Sequence, residues 1–173
     1  TALRQINSEV TTGDAFLFRP PDAINITPGS DNGTPMPRDE PLAENPQTGA
    51  LIDYYLKRDV SGPVTLEILD PSGEVIRRYA NDDKNPPIDP DKLNIPAFWV
   101  RTPEPLSAAA GMHRWIWNLR PTPPQRPAGG GGGGGFGGRG VSNVLPGTYT
   151  VKLTAGGRSY TQPLVVKMDP RAK

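Results

Sequence analysis

The chain has 173 residues, among them 20 glycines and 22 prolines, and its formal net charge is +1. A near-neutral balance with no basic stripe gives no field to gather nucleic acid, and no apolar run approaches the roughly 20 residues that span a bilayer. Cysteine is absent, which excludes disulfides, thiolate metal sites and a cysteine nucleophile.

The apolar residues lie in short clusters, and the clusters read as strands. "AFLFRP" (Ala15 to Pro20) is a short run closed by two prolines and is the first expected strand. A long Pro/Gly/Asn/Asp loop is expected from Pro21 to about Thr48, and "ALIDYYLKR" (Ala50 to Arg58) supplies the second strand. In "GPVTLEILDPSGEVIRRYA", Val64, Leu66 and Ile68 alternate with Thr65 and Glu67 at the period of a half-buried strand. "DPSG" (Asp70 to Gly73) has the chemistry of a turn: Asp opens it, Pro presets φ and Gly closes it. "EVIRRYA" then returns as the partner strand.

Residues 81 to 110 are irregular and rich in Pro and Asp. Within them, "PAFWV" (Pro96 to Val100) reads as a short edge strand or an apolar lid, and "PLSAAAG" (Pro105 to Gly111) as one helical turn. In "GMHRWIWNLR", His113, Trp115, Trp117 and Leu119 share one face, and Met112, Arg114, Ile116 and Asn118 share the other. Two tryptophans on one face mark a core strand, because each buries about 150–250 Å². A glycine-rich insertion at 126–143 follows. Then Tyr149, Val151 and Leu153 alternate with Thr148, Thr150 and Lys152, and "AGGR" makes a tight hairpin turn. The return strand carries Tyr160, Leu164, Val166 and Met168 on one face. Pro163 has no N–H for a ladder, so an edge or a bulge is expected there.

About seven short strands and no convincing helix argue for an all-β fold, an antiparallel immunoglobulin/fibronectin-III-like sandwich with long Pro/Gly-rich loops. The expected core contains Trp115, Trp117, Tyr149, Val151, Leu66 and Ile68. The expected organisation is a strand and an extended linker region at 1–48, then the sandwich at 49–173.

Chemistry-bearing residues are sparse. His113 is the one histidine, and no Ser motif of the G-x-S-x-G type accompanies it, so it reads as a core or near-core residue. Asp82, Asp83, Asp89 and Asp91 fall close together, but the stretch lacks the glycine and the closing Glu of an EF-hand and reads as a solvated loop. "NIT" at Asn25 and "NGT" at Asn32 match the glycosylation sequon. No catalytic, cofactor or metal residues are expected in the chain. The glycine run cannot be a phosphate loop, since a strand rather than a helix follows it. It is either clamped at an interface by Phe136 and Arg139, with Arg126 at its base, or laid over its own sandwich. Phe98 and Trp99 are further candidate contacts, and Trp99 is also the candidate for a sugar-stacking platform.

The order of pieces carries a resemblance. "VTLEILDPSGEVIRRY", "GMHRWIWNLR" and "VLPGTYTVKLTAGGRSYTQPLVVK" resemble the immunoglobulin-like domain related to the flagellar-hook capping protein and to bacterial C-terminal sorting domains. With "TPMPRDEPLAENPQTGALIDYYLKRDVSGPVTLEILD" and "KLNIPAFWVR" added, nearly the whole chain is similar to the C-terminal region of bacterial exported proteins. Those proteins begin with a sortilin-like β-propeller of BNR-type repeats and are often labelled glycosyl hydrolases. The resemblance implies a piece of a longer polypeptide, outside the cytoplasm (periplasmic, cell-surface or secreted). It implies a non-catalytic domain that docks on the propeller or on partner subunits. The alternative is a carbohydrate-binding module attached to a glycosidase-like propeller, with carbohydrate as the partner.

Overall fold

The computed structural model describes residues 2–26, 48–85, 89, 93, 104–123 and 142–171. These form eight strands: β1 (Ala15–Leu17), β2 (Ala23–Asn25), β3 (Ala50–Leu56), β4 (Thr65–Leu69), β5 (Val75–Ala80), β6 (Gly111–Trp117), β7 (Gly147–Ala155) and β8 (Arg158–Met168). They make two sheets, one of three strands in the order β1-β3-β6 and one of five in the order β2-β8-β7-β4-β5. All pairings are antiparallel except β2 with β8.

Alternation in the sequence becomes alternation in space. Ala50, Ile52, Tyr54 and Leu56 of β3 are buried, as are Leu66 and Ile68 of β4, Val151 and Leu153 of β7, and Leu164 and Val166 of β8. Side chains from both sheets join one hydrophobic cluster, so the core lies between the sheets. Trp117 is its largest member, fully buried, with its ring edge-on to Tyr149 at 5.8 Å. Its indole Nε1 donates to the Arg120 carbonyl at 2.8 Å.

The turns follow their chemistry. Asp70 Oδ1 accepts from Ser72 N at 2.8 Å, from Ser72 Oγ at 2.6 Å and from Glu74 N at 3.0 Å, which closes the β4–β5 turn. Those donors, the Ser72 hydroxyl first, hold the Asp70 carboxyl below its ordinary pKa. Gly156 and Gly157, with φ of 56° and 76°, make the β7–β8 turn, where both central residues need the left-handed region. Pro163 sits opposite Thr150 of β7, and β2 pairs with β8 only at Val166, Lys167 and Met168. Among the described residues, the other side of β8 is therefore without a ladder partner at Pro163, where no N–H is available to donate.

The structure differs from the sequence reading in three places. A strand, β2, lies inside the expected loop after Pro21. Three residues are too few to show alternation, and the partner that stabilises them is about 140 positions away in sequence. A short helix, α1 (Ser8–Thr12), forms where none was expected; the Asn7 side chain caps it, accepting from Glu9 N at 3.0 Å and Val10 N at 3.2 Å. The helical turn expected in "PLSAAAG" is absent, and the segment is pinned in an irregular path by tertiary bonds. Leu106 N donates to Ala80 O, Val60 N to Ala108 O, and Tyr54 Oη to Ser107 O at 2.7 Å. No described helix is long and apolar enough to cross a membrane.

Candidate interaction face

Both sheets have an outer face, and the two differ in chemistry. On the five-stranded sheet the outward cross-strand pairs include Thr65 with Thr154, Glu67 with Lys152 and Lys152 with Thr161. The Lys152 ammonium lies 3.0 Å from the Glu67 carboxylate, and the Thr154 and Ser159 hydroxyls are 3.0 Å apart. Water is the natural neighbour of such a surface. On the three-stranded sheet the outward pairs of β3 and β6 are Leu51 with Ile116, Asp53 with Arg114 and Tyr55 with Met112. Phe16 of β1 stands beside Tyr55 on the same face.

Part of this apolar face is covered by the chain's own beginning. Ala2, Val10 and Phe18 are buried together, with Phe16 and Tyr55 packed against them. Phe16 and Phe18 meet edge to face at 5.0 Å. Gln5 ties the covering segment down: its Nε2 donates to Arg19 O and its Oε1 accepts from Arg19 N, both at 2.9 Å. The Asn7 cap of α1 adds to the local order.

Beside Ala2 and Leu3 lies a cleft of about 390 Å³, lined among the described residues by Ala2, Leu3, Asp53, Met112, His113 and Arg114. Leu3 is 74 % exposed and Met112 45 %. Single exposed apolar residues are ordinary, but here both border one cleft, on the face that also carries half-buried Leu51 and Ile116. The charged pair at the centre is well formed. Arg114 Nε donates to Asp53 Oδ1 at 2.7 Å and Nη2 to Oδ2 at 3.0 Å, the side-on fork that suits a carboxylate. Asp53 is buried while Arg114 reaches solvent. The hydrogen bonds Arg114 donates to Asp53 first, and then the Asp53 charge, raise the Arg114 pKa further above its already high value.

Of the residues singled out in the sequence, His113 lines this cleft. Phe98, Trp99, Arg126, Phe136, Arg139, Asn32 and Asp91 lie outside the described residues, and with them most of the glycine insertion. Tyr149, Val151, Leu66, Ile68 and Trp117 are buried in the core. Trp115 shares their face but is only partly buried; it stacks on Tyr79 at 4.7 Å, and Arg77 lies 4.9 Å over the other ring of that stack, Tyr79. His113 packs against Tyr54 at 5.1 Å and its Nε2 donates to Ala109 O at 2.7 Å. Asp83 is a structural acceptor, taking Ala80 N at 2.7 Å. Among the described residues, no group of three or more His, Cys, Asp or Glu converges as a metal would require. Asn25 has both ends of its amide engaged: its Oδ1 accepts from Asn143 Nδ2 at 2.7 Å and its Nδ2 donates to Val144 O at 3.0 Å.

No sequence pattern marks Leu3, Asp53, Met112 and Arg114 as a site. The signal was present in part: Met112, Arg114 and Ile116 alternate against the tryptophans. What turns them into a surface is their register with Leu51, Asp53 and Tyr55, which no local pattern encodes. Comparison with known proteins adds no relative: no family model, no curated protein and no solved structure matches this chain.

Proposed function

We propose that the chain is a non-catalytic interaction domain of an exported bacterial multidomain protein, docking on a β-propeller or on partner subunits. The observation that carries the reading is the contrast between the two outer faces. One carries threonines and the Glu67–Lys152 pair, with Ile24 and Val75 exposed on its edge strands; the other sets Phe16, Leu51, Tyr55, Met112 and Ile116 around the Asp53–Arg114 pair and is partly covered by the N-terminal segment. Left in water, such a face forgoes stabilisation that a partner surface would supply. The location and the propeller rest on the resemblance of the quoted segments. Two facing sheets sharing one core are compatible with an immunoglobulin-like sandwich, which belongs to the same proposal.

The natural absence of cysteine makes the test clean. In a Met112→Cys variant, the labelling rate of the thiol by iodoacetamide is compared between the 173-residue chain and the polypeptide that carries the propeller. The thiol is expected to react at least about tenfold more slowly in the longer protein, or in the shorter chain once a partner subunit is added. Equal rates in all three would sink the docking reading.

A further inference from the structure

Among the described residues, the cleft beside β6 contains one charged group with donors to spare. Arg114 spends Nε and one N–H of Nη2 on Asp53; Nη1 has no partner among the described residues. The free edge of the guanidinium is a second planar fork, the geometry that receives a carboxylate through two parallel bonds. Asp53 is already satisfied on both oxygens and only 7 % exposed, so it orients the guanidinium rather than meeting an incoming group. The Nε2 of His113 is committed to Ala109 O. The remaining described lining residues, Ala2, Leu3 and Met112, are apolar.

That combination selects among occupants. A wholly apolar partner would strip water from Arg114 and leave its donors unpaired. A basic partner would meet the outward cation. An acidic side chain flanked by apolar ones satisfies both the fork and the walls. Resting on the docking reading above, we propose that this cleft receives a protein segment presenting a carboxylate between apolar side chains, with the carboxylate on Arg114 and the apolar groups on Leu3 and Met112.

The probes are two end-blocked peptides, Ala-Leu-Glu-Leu-Ala and its Gln counterpart, titrated into the 173-residue chain by NMR. The chain has only three methionines, so the Met112 methyl is readily assigned. Both peptides are expected to move that methyl, with the Glu peptide bound about tenfold more tightly and alone shifting the Arg114 Nε–H signal. Arg114→Lys keeps a cation for Asp53 but loses the fork, and is expected to erase most of the preference. Because Arg114→Gln alone strands Asp53, the paired variant Asp53→Asn/Arg114→Gln serves as the neutral control and is expected to bind both peptides equally. Equal affinity of the two peptides for the natural chain, or no movement of the Met112 methyl with either, overturns the proposal. The first of these results would leave the docking reading standing, because the thiol-labelling experiment tests that reading without reference to charge.

Discussion

Trp115 and Trp117 occupy the same face of one strand, two residues apart, yet differ in what holds them. Trp117 has 0 % exposure, and its Nε1 finds the Arg120 carbonyl. The Nε1 of Trp115 is buried with no hydrogen-bond partner among the described residues, and so is Nε of Arg77 two places from Tyr79 in the same stack. An unpaired buried donor costs on the order of 1–3 kcal/mol, so losing it offsets part of any volume lost. Trp117→Phe is therefore expected to cost about 3 kcal/mol, from the cavity and from an orphaned carbonyl. Trp115→Phe is expected to cost under about 1 kcal/mol, because it also removes a stranded N–H. Urea unfolding of both variants checks this; equal costs would show that the Trp115 donor is satisfied in solution. The parity of the strand was legible in the sequence. Which tryptophan lies at the centre was not, because that depends on which residues stand opposite: Trp117 faces Tyr149, whereas Trp115 meets Tyr79 at the side of the core.

At the scale of elements, β3 and β6 are joined by seven consecutive register pairs, from Ala50 with Trp117 to Leu56 with Gly111. Their junction is set by Gly49. A Cβ on Gly49 would stand 2.4 Å from the Trp117 carbonyl oxygen, a backbone atom that cannot swing away, and φ is +121°. Gly49→Ala is expected to cost more than about 3 kcal/mol, through strain at φ > 0 and displacement of the end of β6. Gly157→Ala provides the contrast: φ is +76° but nothing lies within 4 Å, so only about 1 kcal/mol of conformational strain is expected. Thermal or urea midpoints separate the two cases, and similar losses would mean that β6 shifts freely at its end. The strands and the Gly–Gly turn could be read from local residues. The close approach at Gly49 could not, since its cause is a carbonyl 68 positions further along the chain.

For the whole molecule, global unfolding exposes Tyr54, which is 1 % exposed in the fold and donates to Ser107 O. Burial pushes its phenol up to about 12 from the ordinary 10. Below pH 10 both folded and unfolded chains keep the proton. Between 10 and 12 the unfolded chain releases it while the folded chain holds it, so stability falls as pH rises through that window. The loss from this group is about 1.4 kcal/mol at pH 11. Tyr54→Phe is expected to be weaker by about 1 kcal/mol at pH 8, from the lost bond, and to decline less steeply between pH 8 and pH 11. Parallel slopes for the natural chain and the variant would contradict the assignment of that alkaline loss to Tyr54.

By itself, the sequence determined the all-β character, the two hairpins, the turn chemistry at Asp70 and Gly156–Gly157, and most of the buried positions. These depend on side-chain parity and on residues within a few positions of one another, so they survive without knowledge of partners. Only the tertiary structure decided that β2 is a strand, that the N-terminal segment covers Phe16 and Tyr55, and that Asp53 meets Arg114 beneath an open apolar cleft. Each of those outcomes joins residues far apart in sequence. Their stabilisation comes from apolar surface and polar partners supplied by another strand, and no single segment contains that information.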